Sequence, residues 1–211
     1  MFEYAQSLIS VIEEMGLKQS NPVLELLGKN TSVTLEKKYP EVKGYLGNNE
    51  WRAFYHCHDS QQKPKEEHGH FHVFINVDNV EDTSVWPHLA CLSIDCYGQP
   101  LQWFTVNQWV TNGSWLTSDQ LMESLSQCEI NESMSLVEKW LLCMVRCYQN
   151  DINQLLQDRD THLLDLGWDQ KSEELMKDRG LYVLSEQVVN LGAKLENIFS
   201  EEQQREQAEV I

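Results

Sequence analysis

The chain has 211 residues, of which 41% are hydrophobic and 23% are charged, and this composition excludes collagen-like and wholly disordered proteins. Its 16 basic and 33 acidic residues give a formal net charge of −17, so nucleic acids and anionic membrane surfaces are not expected partners. We expect a single α+β domain over residues 1–200, followed by a polar C-terminal tail over residues 201–211.

The sequence contains no apolar run near the ~20 residues that a membrane-spanning helix needs. The first fifteen residues include three glutamates and no Lys or Arg, so they do not have the basic start of a secretory signal. The six cysteines form no CxxC pair and are interpreted mostly as small core residues, as is typical of a reducing compartment. We therefore expect a cytoplasmic protein.

The chain is predicted to begin with an amphipathic helix over residues 2–16, which Gly16 ends. Apolar side chains recur in it at helical spacing: Ala5, Leu8, Ile9, Ile12 and Met15. The glycines and prolines that follow favour loops, with one short helix around Val23 to Leu27.

Four extended segments come next, at residues 51–58, 71–77, 88–96 and 101–106. In the second of them, apolar residues alternate with residues of the opposite face, which is the period of a strand. Short connections between the segments predict a four-stranded antiparallel sheet. The polar stretch 59–67, which contains Pro64, is predicted to be a mobile hairpin loop.

Helical periodicity returns after residue 115. Helices are predicted from about residue 118 to 127, from 137 to 148 behind a capping box of Ser135 and Glu138, and from 152 to 166. A last apolar stripe predicts a helix that docks onto the domain, with a coiled-coil seam as the alternative. It consists of Leu181, Leu184, Val188, Leu191, Leu195 and Ile198. We expect the N-terminal and C-terminal helices to cover one face of the sheet.

Five of the seven histidines lie within seventeen residues: His56, His58, His68, His70 and His72. Side chains two positions apart on a strand point to the same face, so His56 pairs with His58, and His68 with His70 and His72. If the two segments form a hairpin, both sets can face one side of the sheet, where opposite Cβ atoms are ~4.5–5.5 Å apart. The pattern predicts a metal centre with imidazole ligands.

Glu67 is the candidate catalytic residue, as a general base or as an orienting partner of a metal-bound histidine. Strict alternation puts Glu67 on the opposite face, so it reaches the histidines only if the strand begins or bulges there. Gly69 has the parity of the core, where its missing side chain would let another element approach closely.

The ligand set suits a divalent transition metal, with zinc or iron expected most, although spacing does not choose among zinc, iron, copper, nickel and manganese. Two other interpretations stay open: packed neutral histidines and a pH-sensitive cluster. His88 could join the site or only form a loop contact. Residues 107–109 could line a pocket or close the end of a strand.

Several runs of the sequence resemble an uncharacterised bacterial family, a domain of unknown function marked by a YHxH run followed by EHGHFH. The matching segments are FYHCH (54–58), EHGHFHVF (67–74), residues 88–111 and KWLLCMVRCY (139–148). The resemblance covers about residues 40–190, and it implies a bacterial protein without supplying a reaction.

The sequence therefore predicts a metal-dependent enzyme, an oxidoreductase or a hydrolase, that acts on a small-molecule substrate. Two alternatives stay open: a metal-binding or metal-sensing protein without catalysis, and an interaction module whose histidines are structural. The oligomeric state is not predicted.

Overall fold

Helices lie at both ends of the chain, and most of the strands lie between them. The computed structural model describes residues 1–28, 32–58, 66–77, 81–169 and 173–209. The elements are α1 (Phe2–Leu17), α2 (Pro22–Leu27), β1 (Leu46–Gly47), β2 (Trp51–His56), β3 (Glu67–Ile75), a 3-10 turn (Thr83–Val85), β4 (His88–Asp95), β5 (Pro100–Val106), α3 (Gln108–Thr111), α4 (Ser118–Leu125), α5 (Leu136–Cys147), α6 (Gln149–Asp165), α7 (Glu174–Lys177), β6 (Val183–Val188) and α8 (Leu191–Glu209).

In the described part of the chain, the strands form one antiparallel sheet in the order β1-β2-β3-β4-β5-β6. The predicted α+β class and antiparallel sheet are confirmed, but the prediction of four strands is wrong, because the sheet has six. β1 has only two residues, too few to show a period of two in the sequence. β6 adds an edge strand next to β5 from a segment that was predicted to be helical.

The structure divides the predicted C-terminal helix into two elements. Leu181, Leu184 and Val188 lie in or beside β6, and only the last three residues of the stripe belong to α8. Spacings of three and four residues therefore misled the prediction, since β6 is held by its pairing with β5 and by a hydrogen bond from the Ser185 hydroxyl to the Leu155 carbonyl in α6. α8 continues to Glu209, through most of the predicted tail.

One face of the sheet forms the main core with the helices, and we call it the core face. Its side chains include Trp51, Ala53, Tyr55, Phe71, Val73, Ile75, Leu92 and Trp103, which pack with residues of α1, α2, α4, α5, α6 and α8. Phe71, for example, has its ring 6.0 Å from that of Trp140 in α5. This confirms the predicted apolar alternation.

The predicted capping box at the start of α5 is confirmed, and it also ties the helix to the sheet. Glu138 accepts a hydrogen bond from the Ser135 amide at 2.8 Å, and its other carboxylate oxygen accepts one from the Gly47 amide of β1 at 2.9 Å. Glu138, which completes the cap at the start of α5, thus also holds β1 at the edge of the sheet.

The opposite face, which we call the histidine face, is also covered. Cys91, Phe104 and Val106 pack there against Val110, Tyr182 and Val183. Residues 59–65 of the predicted hairpin loop lie outside the described residues. Among the described helices, none is both long and apolar enough to cross a membrane.

Candidate metal centre

The pairing of β2 with β3 brings histidines from two strands to one place. His56 is directly opposite His70, and Phe54 is opposite His72, so His56, His70 and His72 share the histidine face. His70 and His72 are 1% and 2% exposed, and His56 is half-buried. The predicted hairpin geometry is therefore present for these three histidines, which we call the inner triad.

The three Nε2 atoms of the inner triad form a small triangle. The distances are 2.9 Å from His56 to His70, 3.1 Å from His56 to His72 and 3.2 Å from His70 to His72. Protons alone cannot satisfy all three contacts, because every assignment leaves at least one pair of nitrogens with two lone pairs or two protons facing each other. A cation in the middle removes this conflict, so the triad could hold a metal ion.

A β-bulge at His68 decides which residues join the triad. Glu67 pairs with Asp95 and Gly69 pairs with Ile94, which leaves His68 as the extra residue. The bulge moves Glu67 onto the histidine face and takes His68 away from it. His68 Nδ1 instead shares a hydrogen bond of 2.6 Å with the Tyr55 hydroxyl, so the structure does not bring His68 to the other histidines.

Gly69 makes this arrangement sterically possible. A Cβ atom added at residue 69 would lie 2.6 Å from the hydroxyl oxygen of Tyr55 and 2.6 Å from the carbonyl oxygen of His56. The Tyr55 ring therefore passes over the glycine to reach His68. The close approach predicted at Gly69 is present.

Glu67 holds one histidine of the triad in orientation. It is 6% exposed, and it accepts hydrogen bonds from His70 Nδ1 at 2.9 Å and from the Ser93 hydroxyl. Burial alone would raise the pKa of Glu67, but these two hydrogen bonds and the electrostatic interaction with His70 outweigh it and lower the pKa. A carboxylate that accepts the Nδ1 proton leaves the Nε2 lone pair of His70 available for a metal ion.

His58 lies next to the triad, just after the end of β2. Its ring centroid is 5.2 Å from that of His70 and 5.4 Å from that of His56. The Tyr182 ring is on another side of it, at 6.5 Å. His58 is thus a neighbour of the triad and a candidate for a further ligand.

A second group of ligand atoms lies around the other nitrogen of His72. His88 Nε2 is 3.2 Å from His72 Nδ1, and Cys91 Sγ is 3.2 Å from the same nitrogen and 3.4 Å from His88 Nε2. His72, His88 and Cys91 form what we call the outer triad, which could also hold a metal. His88 therefore joins the site, one of the two roles that the sequence left open.

Burial keeps several of these imidazoles neutral. It lowers the pKa of His56 to about 3, together with repulsion from His70 and His58, and it lowers the pKa of His88 to about 3. Burial also lowers the pKa of His72 well below its ordinary value. Neutral imidazoles keep the lone pairs that metal binding requires.

The other candidates serve the fold. Asn107 donates hydrogen bonds to the carbonyls of Leu175 and Leu181, and Trp109 Nε1 donates to the Leu181 carbonyl. These contacts close the end of β5, which is one of the two interpretations of residues 107–109. Cys143 and Cys147 are buried in the core, in agreement with the interpretation of most cysteines as small core residues.

Sequence reasoning missed two residues of β4. The sequence indicates a core position for Cys91 and no role for Ser93, yet both lie on the histidine face, opposite His72 and His70. The alternation of Cys91 and Ser93 with apolar Leu92 and Ile94 was the available signal. It carries meaning only when the register of β3 with β4 is known.

A family model described as "Domain of unknown function (DUF6969)" matches residues 2–189. No curated protein and no solved structure matches the chain. The matched segment contains the whole sheet and both triads. The resemblance to a family of unknown function is confirmed.

Proposed function

The chain belongs to this family of domains of unknown function, and from its own site we propose that it is a metal-dependent enzyme. One divalent transition-metal ion is bound by Nε2 of His56, His70 and His72. The observation that supports this proposal is the triangle of the three nitrogens, with one of them oriented by a buried carboxylate.

The size of the triangle suits a first-row transition metal. An ion at ~2.0–2.1 Å from three nitrogens that are separated by 2.9–3.2 Å would have N–metal–N angles of roughly 90–100°. Such angles lie between those of a regular octahedron and those of a tetrahedron, so zinc and iron(II) both fit. The three ligands would occupy one side of the ion.

Three protein ligands on one side leave coordination positions for water or substrate, as catalytic metal sites do. The bound ion would polarise a small-molecule substrate or lower the pKa of a bound water to ~7, which suits hydrolysis or oxidation chemistry. Glu67 has hydrogen bonds to both of its carboxylate oxygens, so this geometry favours its orienting role over that of a general base.

A second candidate is metal binding without catalysis, and the position of His58 favours it. Its ring lies within 5.4 Å of two members of the inner triad. If His58 completes a tetrahedral shell of four histidines, a four-coordinate ion such as zinc has no position left for substrate, and the protein would store or sense the ion.

Both candidate functions require a metal ion at the inner triad, and metal analysis tests this requirement. Untagged protein purified without chelating resin should contain at least one ion per chain, and His70→Ala should contain one ion fewer while keeping its circular dichroism. His162→Ala, at an exposed position on α6, is the matched control and should retain the ion. Metal-free wild type that stays empty after reconstitution with Zn²⁺ or Fe²⁺ contradicts both candidates.

The open coordination position separates the enzyme from the binding protein. In cobalt-substituted protein, azide should change the visible spectrum at millimolar concentration if a position is open. No response in wild type, together with a response in His58→Ala, would show a closed shell and overturn the enzyme proposal.

A further inference from the structure

We propose that the outer triad binds a second metal ion, so that His72 bridges two ions as an imidazolate. This inference rests on the proposed function, because it takes the inner ion to be bound at His72 Nε2. The second ion would be held by His72 Nδ1, His88 Nε2 and Cys91 Sγ, and Zn²⁺ is the ion that this mixed nitrogen and sulfur set fits best.

The geometry of the outer triad supports a second site. Its three ligand atoms are 3.2–3.4 Å apart, close to the separations around a tetrahedral ion with ~2.0 Å bonds to nitrogen and ~2.3 Å bonds to sulfur. The three side chains come from β3 and β4, and a bulge between Val73 and Phe74 brings His88 opposite Phe74 on the histidine face. Two paired strands therefore position all three ligands.

The sulfur of Cys91 lies beside the imidazole of His72. Sγ is 3.2 Å from Nδ1 and 3.9 Å from Nε2 of that ring, so it is not in line with the Nδ1 lone pair. Metal binding at His72 Nδ1 and His88 Nε2 therefore requires the sulfur to move, by a rotation about the Cα–Cβ bond of Cys91. The Cys91 side chain thus moves as the ion binds.

The charges of the second site balance. Binding releases two protons to solvent, one from His72 Nδ1 and one from the Cys91 thiol, and no electrons move. The imidazolate and the thiolate together carry two negative charges, which neutralise one Zn²⁺ in a site where Cys91 and His72 are 0% and 2% exposed. This compensation lowers the cost of placing a second ion in a buried site.

A cobalt titration read by absorbance and by elemental analysis tests the inference. Wild type should bind two Co²⁺ ions, one of which produces thiolate-to-cobalt charge transfer in the near ultraviolet. Cys91→Ser and His88→Ala should each bind one ion without that band. Cys96→Ser, at an exposed cysteine, is the matched control and should still bind two.

His70→Ala separates this inference from the proposed function. It should lose the inner ion and keep one ion that shows charge transfer. One ion without charge transfer in wild type would overturn the second site and leave the inner site standing. One ion whose band disappears in Cys91→Ser would place the metal in the outer triad alone and overturn both proposals, as would no binding.

Discussion

The two faces of β3 are both buried, but one carries apolar side chains and the other carries polar side chains that can bind metal. Phe71 and Val73 point into the core face, where they meet apolar side chains of the helices. His70 and His72 point to the histidine face, where they meet other imidazoles, a carboxylate and a thiol. Adjacent residues of one strand are therefore held by different interactions.

The difference between the faces indicates what each contributes to stability and to ligand binding. Burial of a large apolar side chain stabilises the fold by about 1.5–3 kcal/mol. Burial of an imidazole is favourable only when both of its nitrogens find a partner. The core face should therefore determine stability, and the histidine face should determine ligand binding.

Phe71→Ala should disrupt packing on the core face and cause the largest loss in the free energy of unfolding. Phe71 is 0% exposed and packs against Tyr55 and Trp140, so the cavity should cost about 3–5 kcal/mol in the free energy of unfolding. Urea unfolding of chelator-treated protein measures it. The folded fraction should still bind metal at wild-type stoichiometry.

Val188→Ala is the matched control for Phe71→Ala, because Val188 is a strand residue that is 78% exposed. It should change the free energy of unfolding by no more than about 0.5 kcal/mol. Equal losses in the two variants would contradict the assignment of stability to the core face.

Acid should lower the free energy of unfolding of the metal-free protein through the histidine face. The pKa values of His56 and His88 are about 3 in the folded chain and 6.5 ordinarily. Between these values the unfolded chain binds more protons, so stability is fully present above pH 6.5 and is lost as the pH falls towards 3. The expected slope is about 1.4 kcal/mol per pH unit for each such histidine, or a few kcal/mol by about pH 5.

Chemical unfolding of chelator-treated protein at a series of pH values measures this slope. His56→Gln removes one of the titrating groups, so its slope should be shallower than that of wild type. Equal slopes in the two proteins would contradict the assignment to His56.

The sequence predicted the core face better than the site. Apolar alternation along residues 71–77 and the capping box at Ser135 are local signals, and the structure contains both. The prediction for the segment that forms β6 was wrong, because Leu181, Leu184 and Val188 fit the spacing of a helix as well as that of a strand. Only its pairing with β5 and its contact with α6 decide between them.

The structure brings together only some of the residues that the sequence grouped, and it adds others to them. The spacing of the histidines predicted that His56, His70 and His72 share a face, but it also grouped His68 with them. A single bulge exchanged His68 for Glu67, and the β3–β4 register added His88 and Cys91. Bulges and registers depend on contacts between strands, so residue spacing along one strand does not reveal them.

Glu67→Gln tests whether the carboxylate on the histidine face orients His70 for metal binding. The amide keeps the shape of the side chain but is a weaker acceptor for His70 Nδ1, so metal affinity should fall by about 10–100-fold. Competition with a chromophoric chelator measures this change. Glu66→Gln, at the exposed neighbouring residue, is the matched control and should bind metal as wild type does.

Unchanged affinity in Glu67→Gln would show that His70 needs no orienting carboxylate. A complete loss of the ion, with the fold intact, would instead indicate that Glu67 is itself a ligand. The two outcomes separate the orienting role from direct coordination.

Tyr55→Phe should have the smallest effect, and it tests the boundary between the two faces. The Tyr55 ring belongs to the core face, while its hydroxyl shares a hydrogen bond of 2.6 Å with His68 Nδ1. Burial raises the pKa of Tyr55, so the hydroxyl stays protonated. Its removal should lower the free energy of unfolding by about 0.5–1.5 kcal/mol. Because His68 points away from the inner triad, metal affinity should be unchanged, whereas a loss as large as that of Glu67→Gln would mean that the bulge delivers His68 to the ion.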